Sequence, residues 1–97
     1  MSIKVIVELK LKQGMLDDAM FLFSELMPET RARLGNEGVI LYNDIDNGLR
    51  VILIEQWSTR VEYDAYSQWR TERGDFTKLS KLLQEPPSKS FFGYLSI

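Results

Sequence analysis

An α+β fold, a four-stranded antiparallel sheet with helices on one face, is predicted by three features of this 97-residue chain. Apolar residues alternate along "IKVIVELKL" near the start, as in a half-buried strand. From Leu16 the period lengthens to three and four, and it does so again after Thr59, as in helices. Between those helical stretches, "VILYNDIDNGLRVILIEQW" sets two β-rich runs about an Asn-Gly pair.

The elements follow in order. Ile3, Val5, Val7, Leu9 and Leu11 share one face of the first strand. "KQG" turns the chain, with Gly14 free to adopt a positive φ. Leu16, Met20, Phe23, Met27, Thr30 and Leu34 then form a helical stripe, with Ala19 and Leu26 beside it. Asp17 and Asp18 fall in the first turn, where acids suit the helix dipole. Pro28 predicts a kink or a restart, with "PETRAR" as a second segment, and Gly35 and Gly38 as the end. In the hairpin, a type I′ turn at Asn47-Gly48 pairs Asp46 with Leu49, Asp44 with Val51, Tyr42 with Leu53 and Ile40 with Glu55. The carboxylates of "NDIDNG" do not form a calcium loop, because Leu49 stands where that pattern requires glycine.

Thr59 followed by Glu62 fits a capping box and starts the next helix. Val61, Ala65, Trp69 and Tyr66 fall on one arc of it, with Tyr63 near the edge. Trp69, four residues from Ala65, reads as core. "ERGD" interrupts, Phe76, Leu79 and Leu83 mark a short further helix, and "EPPSKS" ends it. "FFGYLSI" supplies the last strand. The order β-α-β-β-α-β, with one extra helical segment, is a ferredoxin-like split βαβ plan.

The chain has no histidine and no cysteine. That excludes disulfides, thiolate metal sites, thiol nucleophiles, haem ligation by histidine and the commonest general base. Any chemistry must run on carboxylates, tyrosines, lysines, arginines, serines, the backbone or the substrate itself. The formal net charge is −2, with both signs mixed along the chain, so nucleic acid is not an expected partner. No apolar run approaches the ~18 residues of a membrane span, and a cytoplasmic location is expected.

Both faces of the sheet carry apolar residues. Val39, Leu41, Ile52 and Ile54 share one face of the hairpin; Ile40, Tyr42, Val51, Leu53 and Trp57 share the other. The helices suffice for one face only. A second copy packed sheet on sheet would cover the remainder, which predicts a homodimer.

The chain resembles the antibiotic biosynthesis monooxygenase family over essentially its whole length. The resemblance is carried by "IKVIVELKLKQG", "PETRAR" leading to a Gly-initiated strand, "RVILIEQWSTRVEYDAY" and "LLQEPP" before the last strand. It implies a single domain over 1–97, a dimeric α/β barrel, and oxygenation of small phenols or quinols by dioxygen with no metal or flavin. The family commonly carries a histidine about nine residues after the tryptophan, where this chain has Tyr66. Haem-degrading relatives use that region's histidine with a first-strand asparagine, whose place here falls at about Val7, so haem is not expected.

Such chemistry needs a base, one or two hydrogen-bond donors and a dry aromatic cleft. Trp57 is the candidate to stack on a substrate ring and offer its indole N–H, and Tyr66 and Tyr63 to donate to substrate oxygens. Glu55, two residues from Trp57 on the same sheet face, is the candidate base, since burial would raise its pKa toward neutrality. Its alternative is a structural carboxylate paired with an arginine. Tyr42 and Leu53 are the other expected substrate contacts, and Arg50 or Arg70 could stabilise an oxyanion. A non-catalytic protein that binds a small apolar molecule, or one that chiefly assembles, are the competing readings.

Overall fold

The computed structural model describes residues 2–97. Its elements are β1 (Ile3–Lys10), α1 (Leu16–Ala32), β2 (Asn36–Asn43), β3 (Arg50–Trp57), α2 (Arg60–Arg73), α3 (Asp75–Ser80) and β4 (Ser88–Gly93). The strands form one antiparallel sheet in the order β2-β3-β1-β4. This is the ferredoxin-like plan read from the sequence. Alternation in β1 works as expected: Val5, Val7 and Leu9 are buried beneath the helices.

Helix α1 runs unbroken through Pro28 rather than restarting there. Pro28 is exposed, so only one backbone bond on the solvent side is lost. The buried stripe is Ala19, Phe23, Leu26, Met27 and Thr30. Met20 lies about 100° round the helix from Ala19, at the stripe's edge, and Leu34 falls beyond the helix end; both are exposed. Gly38 does not end the helix. It lies in β2 at a register irregularity, with φ 143°. Gly35 (φ 89°) has the structural role there, because a Cβ would collide with the Glu62 side chain.

The hairpin differs from expectation by one residue. A type I′ turn needs positive φ at both central residues, and neither Asn47 nor Gly48 has it. Asp44 organises a longer connection instead. Its Oδ1 accepts the N–H groups of Asp46 (2.8 Å) and Asn47 (3.2 Å), and Asn47 Oδ1 accepts the N–H of Leu49 (3.1 Å). Asn43 therefore opposes Val51, Leu41 opposes Leu53 and Val39 opposes Glu55. Val39 and Leu41 join Val51, Leu53 and Trp57 on the helix-covered face, and Tyr42 turns to the opposite one.

Helix α2 starts as predicted, with Thr59 Oγ1 accepting the N–H of Glu62 at 3.2 Å. Its buried face is rotated from the expected arc, however. Tyr63, Tyr66 and Arg70 are inside, while Val61 is 76 % exposed and Ala65 is exposed too. The tyrosine rings bury far more apolar area than valine and alanine, so they set the roll of the helix. Trp69 is half-buried at the rim rather than in the core. Guanidinium groups of Arg33, Arg70 and Arg73 lie 4.2, 4.7 and 4.8 Å from its ring centre.

Gly74, left-handed at φ 80°, ends α2 where "ERGD" predicted a break. After α3, the chain is tied to the end of β1. Leu83 bridges to Leu11, Lys12 N–H donates to the Leu82 carbonyl, and Gln84 Nε2 donates to the Leu11 carbonyl. Strand β4 begins at Ser88, three residues earlier than expected, and Tyr94–Ile97 lie outside it. The helices cover one face of the sheet. On the other, Ile40, Tyr42 and Phe92 are exposed, beside the half-buried Ile6, Ile52 and Ile54.

Candidate functional site

Between the sheet and the helices lies a cavity of about 200 Å³. Val7, Leu9, Leu53 and Glu55 form its sheet wall. Phe23, Leu26 and Met27 of α1 and Tyr63, Tyr66 and Arg70 of α2 close it from above, and Phe76, Leu79, Pro87 and Lys89 complete the rim. An apolar cavity of ~150 Å³ takes up benzene, so this one is the size of a single substituted aromatic ring.

Glu55 is its buried acid, 4 % exposed in the middle of β3. The antiparallel register places it opposite Val5 and Val39, among hydrophobic side chains. Trp57 Nε1–H donates to its Oε1 at 2.9 Å, and no described residue hydrogen-bonds Oε2. Burial pushes the Glu55 carboxyl above the ordinary glutamate range. The Trp57 hydrogen bond and the positive charges of Lys89 and Arg70 offset that only in part.

Trp57 is fully buried and does not line the cavity. Its ring packs against Tyr66 at 4.8 Å and edge-on to Tyr63 at 5.7 Å. With its N–H given to Glu55, it cannot stack on a ligand and donate to it, as the sequence reading anticipated; it backs the tyrosines and orients the carboxylate. Tyr63 does face the cavity. Burial, with the Glu55 charge adding to it, pushes its phenol up to about 12, which makes it a donor rather than a base.

Tyr66 faces the cavity with its ring, while its hydroxyl is engaged behind. It lies 2.9 Å from Thr30 Oγ1 and accepts from Arg70 Nε–H at 3.2 Å. Burial raises its pKa as well, against those two hydrogen bonds. Arg70, 1 % exposed, also touches the cavity but has no donor to spare. Nε–H serves Tyr66, Nη1 serves Asp75 (2.8 Å) and Glu29 (3.1 Å), and Nη2 serves the Leu26 carbonyl (2.6 Å) and Thr30 (2.8 Å). The guanidinium carries five N–H groups, so an oxyanion role for Arg70 would require breaking the fold's own bonds.

The structure thus brings Glu55, Tyr63, Tyr66 and Leu53 together around one cavity. Tyr42, 51 % exposed on the opposite face, is not among them. Nor is Arg50, which pairs with Glu8 and Asp44 at the hairpin. Sequence reasoning missed Lys89, Phe76 and Pro87. "EPPSKS" has the prolines of a helix terminator, and the signal for the strand that follows is the alternation of Lys89 and Phe91. Among the described residues no three histidine, cysteine, aspartate or glutamate side chains group as metal ligands.

The fold is shared with solved proteins. A Mycobacterium tuberculosis protein, Rv0793, superposes with a TM-score of 0.87 at 20 % identity, over 100 % of this chain and 98 % of that one. A putative antibiotic biosynthesis monooxygenase from Nitrosomonas europaea gives 0.89 at 17 % identity, over 97 % and 90 %. A variant of SnoaB, a cofactor-independent oxygenase from Streptomyces nogalater, gives 0.86 at 11 % identity, over 99 % and 95 %. No curated protein matches the sequence. Residues 2–73, strands β1 to β3 with both long helices, match the antibiotic biosynthesis monooxygenase family, and the chain belongs to that family.

Proposed function

We propose that this protein is a cofactor-independent monooxygenase acting on a single-ring phenol or quinol, with Glu55 as the base. The observation that carries this reading is a buried carboxylate beside a cavity one ring in size, with one oxygen held by Trp57 and the other without a hydrogen-bond partner among the described residues. Glu55 Oε2 takes the phenolic proton. The resulting anion is electron-rich enough to reduce dioxygen. One oxygen atom forms the new C–O bond of a quinone, the displaced ring hydrogen and the phenolic proton leave with the other as water, and the substrate supplies all the electrons. Tyr63, held protonated by its high pKa, donates a hydrogen bond to the developing oxyanion. The apolar walls exclude water, which strengthens both interactions.

The likeness to SnoaB supports the reading at the level of fold, and family membership supports it at the level of reaction type. The raised pKa of Glu55 supports its assignment as the base, since a carboxylate is a better base nearer neutrality. The same reading includes a homodimer in the cytoplasm. Ile40, Tyr42 and Phe92, exposed on one open sheet face, are the contact surface that a second copy would bury.

Dioxygen uptake with hydroquinones and catechols is the test, run on the wild type, Glu55→Gln, Trp57→Phe and Tyr66→Phe. Removal of a positioned base is expected to cost about 10²- to 10⁴-fold in Glu55→Gln. Trp57→Phe is expected to lower the rate less, because it removes only the group that orients the base. No uptake by the wild type, with a ligand-induced rise in melting temperature, would replace this reading by a binding protein. One observation favours that second reading: the Tyr66 hydroxyl, at the family's histidine position, is committed to Thr30 and Arg70.

A further inference from the structure

Four polar side chains border the cavity besides Glu55, and three are accounted for. Tyr63 serves the oxyanion in the proposed reaction, Tyr66 presents its ring with its hydroxyl bonded to Thr30 and Arg70, and Arg70 has spent every donor. Lys89 is the fourth. It stands opposite Val7 in the β4–β1 register, so its side chain rises from the helix-covered face of the sheet toward the cavity. Its ammonium lies 5.4 Å from the Tyr63 ring centre and 5.1 Å from that of Phe76, which hold it at the rim. Among the described residues it has no ion-pair partner. The carboxylates near it in chain and register, Glu85 and Glu8, pair with Lys10 and Arg50 instead.

Lys89 and Glu55 thus face one cavity from separate positions. They are two strands and one side-chain row apart, so their Cα atoms are about 12 Å from each other by ordinary sheet spacings. One aromatic ring with polar groups at both ends spans that interval. A neutral phenol would satisfy Glu55 and leave the ammonium to solvent. A ring with a carboxylate opposite its hydroxyl would satisfy both, because a charge-assisted hydrogen bond at the mouth is added to the same ring burial.

We propose that Lys89 is the specificity-determining residue of this cavity and that its ligands are single-ring aromatic acids, with a phenolic hydroxyl toward Glu55 and a carboxylate on Lys89. The inference rests on the reading of the cavity as the substrate site, but not on its chemistry with dioxygen. A carboxylate on Lys89 also sets which ring edge meets Glu55, so it orients the substrate as well as selecting it.

The test compares 4-hydroxybenzoate with its neutral counterpart 4-hydroxybenzyl alcohol, by tryptophan fluorescence titration and melting-temperature shift. Wild type, Lys89→Met and Lys89→Arg are measured at low and high salt. The wild type is expected to bind the acid about tenfold more tightly or better, as one charged hydrogen bond provides. Lys89→Met should lose that preference while keeping its affinity for the alcohol. Lys89→Arg should restore it, and salt should weaken it, because the site is at the rim. Equal binding of acid and alcohol by the wild type would overturn the proposal and leave the cavity as a phenol site. So would a preference that survives in Lys89→Met. Failure of both compounds to bind would overturn the proposal together with the reading of the cavity. Binding of the acid without dioxygen uptake would uphold this inference and reject the oxygenase.

Discussion

Two buried charged side chains, Arg70 and Glu55, border the same cavity under opposite conditions. Arg70 is surrounded by acceptors from α1, α2 and α3, and each of its N–H groups has a partner. Glu55 has a single hydrogen bond from Trp57, and its second oxygen has none among the described residues. A fully satisfied buried charge ties elements together and has nothing to offer a ligand. A half-satisfied one costs stability, and such sites persist where a ligand or reaction uses the spare valence. The proposed chemistry therefore falls to Glu55, and architecture to Arg70.

The largest expected effect comes from breaking the satisfied group. Arg70→Met removes one donor each from the Leu26 carbonyl and Thr30 and takes the nearer cation from the buried Asp75, leaving it only Arg73 Nε at 3.5 Å. Removing one member of a buried pair strands the other, and the expected loss is about 3–5 kcal/mol in urea unfolding. A loss under about 1 kcal/mol would place Arg70 with the exposed ion pairs and dissolve the contrast. Tyr66→Phe is a smaller cut at the boundary between the two regions. It keeps the ring that faces the cavity and removes the acceptor of Arg70 Nε–H. A stranded buried donor predicts a cost of about 1–3 kcal/mol in the same measurement. If the variant is instead as stable as the wild type, the hydroxyl is not part of the structural hub and becomes available to a ligand.

The sequence was legible where one side chain's chemistry dictates local structure. Val5, Val7 and Leu9 alternate because one face is buried, and Thr59 caps because its oxygen meets the Glu62 N–H. Glu55 was legible as a cavity carboxylate because strand geometry alone places it on the Trp57 face. Other features depend on competition between distant groups. Asn47-Gly48 favours a tight turn, yet Asp44 captures two N–H groups first, and the one-residue change carries Tyr42 away from the cavity. Val61 and Ala65 have helical spacing, but the rings of Tyr63 and Tyr66 outweigh them once Trp57 offers a packing surface. The five partners of Arg70 come from Leu26 to Asp75, a span that no local pattern encodes. Lys89 points inward only because β4 starts before its apolar residues do.

The half-satisfied group predicts the smallest effect and the reverse sign. Burial raises the Glu55 pKa, so between its ordinary value and the folded one the native state holds a proton that the unfolded chain has released. Its contribution is fully present below the unfolded pKa and is lost as pH rises through the folded pKa. Glu55→Gln keeps the Trp57 hydrogen-bond acceptor and removes the ionisation. The variant should match the wild type below the ordinary glutamate pKa and exceed it in stability at pH ~8, where the wild type must hold either a charge in an apolar wall or a proton that the unfolded chain has released. Glu29 gives the opposite slope, because the hydrogen bonds from Arg73 and Arg70 lower its pKa and its contribution is lost as pH falls through the folded value. That acid limb is common to both proteins and cancels in their difference. Urea midpoints of the pair at several pH values isolate the Glu55 contribution. A variant less stable than wild type at pH ~8 would mean that the carboxylate is satisfied after all, and Glu55 would join Arg70 as architecture.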